Sequence, residues 1–265
     1  MIPLAQHDHD APAASATATL EPPPPPSAAV DLPPLAPPPL KNTTAHLLRR
    51  VLQDRPALIS DIVAGKELDL RKVVLISLGL SALGGLAIGS ATSAAQAAAA
   101  AVKVPVIFSL SLITCFPAFF IFGLLQGSKL QLKTGLRLFA AGMGMRGAVL
   151  AGLAPLLLFF SSVGTPYAGL LIGALCAFGL AEFGFLSVIE KGVRTLRDEQ
   201  GDAFKPWLVR AWTMVYLGVT SQLAWSMRPL IRHPSVTEFQ LFGGAGQNEN
   251  MFFYFVEQAT RLFGA

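Results

Sequence analysis

The sequence LRLFAAGMGMRGAVLAGLAPLLLFFSSVGTPYAGLLIGALCAFGLAEFGFLSVI, residues Leu136 to Ile189, decides the fold. It reads as two apolar helices joined by the short, uncharged turn from Ser161 to Pro166. Each half is long enough for a membrane span, because about 20 apolar residues cross a hydrocarbon core about 30 Å thick. The stretch therefore predicts a membrane-embedded helical hairpin.

Small residues recur every four positions on both halves of this hairpin and on an earlier apolar run. Such spacing lets helix backbones approach closely in lipid, where no hydrophobic force drives helices together. The predicted packing positions are Gly85, Gly89, Ala140, Gly144, Ala148, Gly152, Gly169, Gly173, Ala177 and Ala181.

Each half of the hairpin also carries one charge well inside the predicted span, Arg146 on the first and Glu182 on the second. Counting from the cytoplasmic ends, the two lie roughly 13 Å and 10 Å deep. The matching depth predicts either a structural ion pair or part of a proton or ion relay. A third intramembrane polar residue, Gln222, is expected to hydrogen-bond another helix.

The whole chain predicts an all-α, polytopic integral membrane protein with about five transmembrane helices. Of its 265 residues, 52% are hydrophobic and 14% charged, whereas soluble domains have about 25% charged residues. The expected spans are 73–91, 105–126, the two halves of the hairpin and 206–227, with an Ala-rich linker before the second. The predicted regions are a tail (1–42), juxtamembrane helices (43–71), a membrane domain (72–231) and an external tail with an interfacial helix (232–265).

The first region is rich in proline and predicts a disordered tail, because its apolar content is too low to offset the entropy of ordering. The second region predicts a broken amphipathic helix with a basic face suited to anionic lipid headgroups. Asp54 is its expected internal N-cap, and Pro56 suits the following first turn.

The juxtamembrane stretch RPALISDIVAGKELDLRKV, from Arg55 to Val73, resembles the actin-monomer-binding motif of Wiskott–Aldrich-type proteins. The matching helix positions are Arg55, Leu58, Ile59, Ile62, Gly65 and Leu68. The resemblance implies an actin-like or groove-bearing protein partner, whereas the alternative is a chance match to an ordinary juxtamembrane helix. The proline tract upstream is typical of such binders.

Basic residues alternate along the chain in a way that predicts orientation. Lys and Arg number 7 before the first span and then 1, 3, 0 and 5 in the successive connections. By the positive-inside rule, the N-terminus is cytoplasmic and the C-terminus outside. Trp207, Trp225 and Arg228 are the expected interface anchors, since the two tryptophans lie about 27 Å apart along a helix.

The segment QLAWSMRPLI, residues 222–231, followed by FQLF, residues 239–242, resembles the C-terminal signature of a bacterial family of five-span inner-membrane proteins of unassigned activity. Lys103 and Pro105 match the start of that family's second span. The resemblance implies a bacterial inner (plasma) membrane location. The layout is also distantly similar to Yip-type membrane-trafficking proteins.

Recognisable catalytic motifs are missing from the sequence. The four histidines lie outside the predicted spans, and neither a metalloprotease HExxH nor a phosphate-binding GxxxxGK[ST] motif occurs. We therefore expect no enzyme, cofactor, metal site or nucleic-acid partner. Three functions remain open: a scaffold or assembly factor that can form homo-oligomers, a small channel or transporter using Glu182 and Arg146, and a partner binder through residues 21–73.

Overall fold

Seven helices make up the described part of the chain. The computed structural model describes residues 44–201, 205–231 and 241–243, with residues 256, 257 and 260. The helices are α1 (Thr44–Leu52), α2 (Arg55–Val63), α3 (Leu70–Gly89), α4 (Ala94–Leu125), α5 (Leu132–Ser162), α6 (Tyr167–Gln200) and α7 (Pro206–Ser226). The predicted disordered tail and most of the predicted interfacial helix lie outside the described residues.

Four of these helices, α3 to α6, are long and apolar enough to cross a membrane. The helix α7 is 21 residues long but is not one of the four, since it includes Arg210, Gln222 and several hydroxyl-bearing side chains. The all-helical prediction is confirmed for the described residues.

The long helices pack in a connected series. The helix α3 packs against α4 and α5, α5 packs against α6, and α4 packs against α7. The turn between α5 and α6 uses Gly164 at φ +73°, a left-handed backbone conformation that glycine adopts without strain. The predicted hairpin of residues 136–189 is therefore present, and both of its helices extend further than expected.

The second long helix begins earlier than the sequence predicted. The Ala-rich stretch was expected to be a linker, but it forms the first turns of α4. Alanine has the highest helix propensity, and the side chain of Ser93 caps the helix by accepting a hydrogen bond from Gln96 N at 3.1 Å. Pro105 and Pro117 lie inside this helix, so neither proline ends it.

The last of the four long helices continues past its predicted end. The segment after Ile189 was expected to be a connection, yet α6 runs on and ends where Gly201 adopts φ +61°. Val193 and Leu196 on this extension are buried and belong to the core. Because these apolar residues pack in the core, the helix continues beyond the predicted span.

The region predicted to be a broken amphipathic helix forms two short helices, α1 and α2, whose apolar residues are covered by protein. The helix α1 packs on α5, and α2 packs on α6. Leu47 and Val51 of α1 are buried, as are Leu58, Ile59 and Ile62 of α2. Asp54 is at the N-cap of α2, although its side chain makes no capping hydrogen bond.

Candidate functional site

The two predicted intramembrane charges meet in the core. Arg146 of α5 and Glu182 of α6 are buried, with relative solvent exposures of 1% and 6%. Arg146 Nη1 lies 3.2 Å from Glu182 Oε1. The two side chains form an ion pair, and the pair joins the two halves of the hairpin.

Tyr216 of α7 completes this pair. Its hydroxyl accepts a hydrogen bond from Arg146 Nη1 at 2.6 Å and donates one to Glu182 Oε2 at 2.9 Å. The backbone oxygen of Phe108, on α4, accepts from Arg146 Nη2 at 3.5 Å. Side chains or backbone from α4, α5, α6 and α7 thus meet at one polar cluster, which we call the core triad (Arg146, Glu182, Tyr216).

Aromatic rings enclose the core triad. The guanidinium carbon of Arg146 lies 4.0 Å from the ring centre of Phe108 and 5.0 Å from that of Phe185. Tyr216 packs against Phe185 and stacks on Trp212, each with ring centres 5.1 Å apart. The rings stabilise the cation through their π-faces and separate the triad from solvent.

The hydrogen-bond directions determine what the core triad can do. The guanidinium of Arg146 donates to one carboxylate oxygen of Glu182, and the tyrosine hydroxyl donates to the other. Both carboxylate oxygens and Nη1 of Arg146 have partners, while the buried Nε of Arg146 has none among the described residues. A nearly saturated cluster of opposite charges stabilises the packing of helices, because removing any member leaves a buried polar group unpaired.

A second buried polar cluster lies near the start of α4. The side-chain nitrogen of Gln96 donates to the backbone oxygens of Pro229 and Leu230 at 2.6 Å and 3.2 Å. Lys103 Nζ donates to Pro229 O at 3.1 Å and also to Leu241 O. Gln96 and Lys103, which we call the α4 clamp, therefore fasten the chain that follows α7 onto α4.

The predicted small-residue stripes are only partly at helix contacts. Ala140, Ala177 and Ala181 are buried, and a side chain at Gly85 or Gly89 would overlap the backbone of α4. Ala148 and Gly169 are half-buried. A Cβ added at Gly144 would lie 3.6 Å from its nearest neighbours, which is an ordinary contact distance. A Cβ added at Gly173 would lie 3.9 Å from Leu157.

Gly152 departs from the prediction, because it is exposed and its Cβ position has no described atom within 4 Å. The closest approaches of α5 occur instead at two glycines that the four-residue spacing did not select. A Cβ on Gly142 would lie 2.7 Å from the Phe185 ring, and one on Gly147 would lie 2.8 Å from Ser77 O. The helix α5 packs mainly against α3 and α6 and also contacts α1 and α2, so no single stripe contains all its contacts.

The predicted interface residues lie on the surface of α7 and just beyond it. Trp207 is 60% exposed. Arg228 places its guanidinium carbon 3.0 Å from the ring centre of the half-buried Trp225. Gln222 was expected to hydrogen-bond another helix, but it is exposed and its side chain makes no hydrogen bond with the described residues. The buried glutamine of the described part is Gln96.

The residues of the actin-type motif occupy α2 and the turn after it. Leu58, Ile59, Ile62 and Leu68 are at most 6% exposed and pack in the core, while Arg55 and Gly65 are accessible. A partner that needs the apolar face of α2 could bind only after α2 leaves α6.

Sequence reasoning missed Tyr216 and the clamp roles of Gln96 and Lys103. A signal for Tyr216 was present, because Trp212, Tyr216 and Thr220 recur every four residues and form one aromatic and polar face of α7. The clamp gave no such signal, since Gln96 and Lys103 bind backbone oxygens that no side-chain pattern reveals.

No group of three or more potential metal ligands occurs among the described residues. Comparisons with protein families, curated proteins and solved structures give no match for this chain.

Proposed function

We propose that the chain is a non-enzymatic integral membrane protein that acts as a scaffold or assembly factor. The observation that carries the proposal is the enclosed core triad, whose charges bind one another inside an aromatic shell. A transport path needs an ionisable group that solvent or a substrate reaches, whereas Arg146 and Glu182 are almost fully buried.

We further propose that α7 is a fifth span, in a bacterial inner membrane with the N-terminus cytoplasmic. In support, α7 has the length of a span, and Trp207 near its start is exposed, as an interfacial anchor requires. Its polar groups Tyr216 and Thr220 are buried against neighbouring helices rather than presented to lipid. The resemblance to five-span inner-membrane proteins agrees with this layout.

The surface available for assembly is the outer face of α5 around Gly152. Gly152 is exposed, and its Cβ position has no described atom within 4 Å. A neighbouring helix could approach the backbone closely there, as at small-residue interfaces in other membrane proteins. A second copy of the chain or another membrane protein would fill this space.

A photo-cross-linking amino acid at Gly152 tests the scaffold function in native membranes. We expect one discrete adduct of defined mass, because an assembly surface has a fixed neighbour. The control position is Val102, which is 66% exposed on α4. Equal, diffuse labelling at both positions would contradict the proposal.

Flux measurements separate this function from the transporter alternative. In proteoliposomes, we expect the wild-type chain to leave proton and ion permeability at the level of empty vesicles. A flux that Glu182→Gln abolishes in a protein that still folds would establish the transporter instead.

A further inference from the structure

A cleft of about 330 Å³ lies between the junction of α1 with α2 and the C-terminal half of α6. Its apolar wall includes Leu52, Ile59 and Val188, of which Leu52 is 44% exposed. This volume is at the low end of the range for small-molecule sites. The cleft therefore suits a compact polar group attached to apolar chains better than a large soluble ligand.

Two cations line the cleft, Arg55 at the start of α2 and Lys191 on α6. Neither side chain makes a hydrogen bond or ion pair with any residue in the described part of the chain. Nearby carboxylates are already engaged: Glu190 binds Arg194 at 2.5 Å, and Asp61 binds Arg50 and Lys66. Asp54 precedes Arg55 but does not line the cleft. The cleft thus presents positive charge without an internal counterion.

The cleft continues into an apolar strip on α6. Phe183, Ser187 and Lys191 are spaced by four residues and therefore share one face of the helix. Phe183 is 73% exposed, and one turn further from the cleft the Cβ position of Gly179 has no described atom within 4 Å. The strip leads from the two cations into the apolar part of α6.

We propose that this cleft binds an anionic phospholipid, with its phosphate between Arg55 and Lys191 and an acyl chain along Phe183 and Gly179. Charge complementarity selects an anion, and the apolar strip selects a lipid over a free phosphate. The site links α2 to α6 through the lipid and thereby strengthens the docking of the juxtamembrane helices. The inference rests on the proposed membrane orientation, which places this end of α6 at the cytoplasmic surface.

The test uses the full chain purified in a neutral detergent. The midpoint temperature of unfolding is measured by size-exclusion chromatography after heating, with added phosphatidylglycerol, phosphatidylcholine of the same acyl chains, or inorganic phosphate. We expect phosphatidylglycerol to raise the midpoint by a few degrees and the other two additions to leave it unchanged. Arg55→Gln and Lys191→Gln should each reduce the shift, and the double variant should abolish it.

Lys133→Gln is the matched control, because Lys133 is an exposed cation at the start of α5 that lies outside the cleft. It should retain the full shift. The proposal is overturned if the double variant keeps the full shift or if phosphatidylcholine gives a shift equal to that of phosphatidylglycerol. An equal shift with inorganic phosphate would overturn the lipid assignment and show that the cleft binds a free anion. Native mass spectrometry of co-purified lipid gives the same comparison if a variant is unstable to heat. Thiol labelling of α6 reports the orientation separately, so a wrong topology and a failure to bind lipid are distinguishable.

Discussion

At the scale of single residues, the core triad accounts for two charges that lipid would not tolerate. Each charge has a direct partner, and Tyr216 contributes a hydrogen bond to both. Replacing only one member of a buried pair typically costs about 3–5 kcal/mol, whereas replacing both is often nearly neutral. The membrane environment reduces this cost, because unfolded helices in lipid still find polar partners.

We therefore expect Arg146→Met and Glu182→Gln each to destabilise the protein, and the double variant to regain part of the loss. Denaturation in mixed micelles measures the free energies of unfolding for a double-mutant cycle. Strictly additive losses would mean that the two side chains do not interact.

Tyr216→Phe isolates the contribution of the hydroxyl, since the ring and its stacking on Trp212 remain. We expect a loss of about 1.5–3 kcal/mol, the usual range for hydrogen bonds to charged groups. Ser111→Ala is the control, because Ser111 is buried on α4 and its hydroxyl donates to the backbone oxygen of Ile107 in its own helix. A loss at Tyr216 no larger than that at Ser111 would remove the tyrosine hydroxyl from the network.

At the scale of helices, α3 and α4 approach so closely that glycine is required. A methyl group on Gly85 would overlap the carbonyl of Ala100 and force the two backbones apart. We expect Gly85→Ala to cost about 1–3 kcal/mol, as overpacking does in well-packed cores. Gly79→Ala, with open space at its Cβ position, should cause no loss. Thermal stability in detergent compares the two, and equal midpoints would contradict the close packing.

The helices α1 and α2 are joined by an ion pair that responds to pH. Burial raises the pKa of Asp61, but hydrogen bonds from Lys66 and Arg50 outweigh it and leave the pKa below its usual value. A carboxylate with a lowered folded-state pKa stabilises the folded form above its unfolded pKa, about 3.9. This stability is lost as the pH falls through the lower, folded-state pKa.

Hydrogen exchange in α1, followed from neutral to strongly acidic pH, measures this dependence. We expect the protection factors of α1 amides, which correct for the intrinsic exchange rate at each pH, to fall in acid, and in Asp61→Asn we expect low protection factors already at neutral pH. Asp69 also has a lowered pKa, because it accepts hydrogen bonds from Lys72, but it remains intact in that variant. An acid response of equal size in Asp61→Asn would assign the effect to Asp69.

At the scale of the whole molecule, much of the fold was readable from the sequence. The lengths of the apolar stretches predicted the helices α3 to α6. The matching depths of Arg146 and Glu182 along their helices predicted that the two side chains could pair. Helix ends were less predictable, because the residues that mark the limits of the apolar spans do not end the helices. The helix α4 runs through Lys103 and Pro105, and α6 runs through Glu190 and Lys191. The contacts of Gln96 and Lys103 could not be predicted, since both bind backbone oxygens more than 100 positions away.

The overall topology is testable with single cysteines in a background where Cys115 and Cys176 are alanine. A cysteine at Ser162, in the turn between α5 and α6, should react with an impermeant thiol reagent added outside the cell. A cysteine at Asp198, exposed on the extension of α6, should react only after lysis. The reverse pattern would invert the proposed orientation.

The position of Tyr216 has a consequence for biogenesis. The ribosome delivers helices in chain order, so α5 and α6 enter the membrane before α7 exists. During that interval Glu182 Oε2 lacks its tyrosine donor, and the face of the core that Trp212 later covers is open. The helix α7 then packs onto groups that the earlier helices already present, so a nascent chain that stops after α6 carries an incomplete polar cluster.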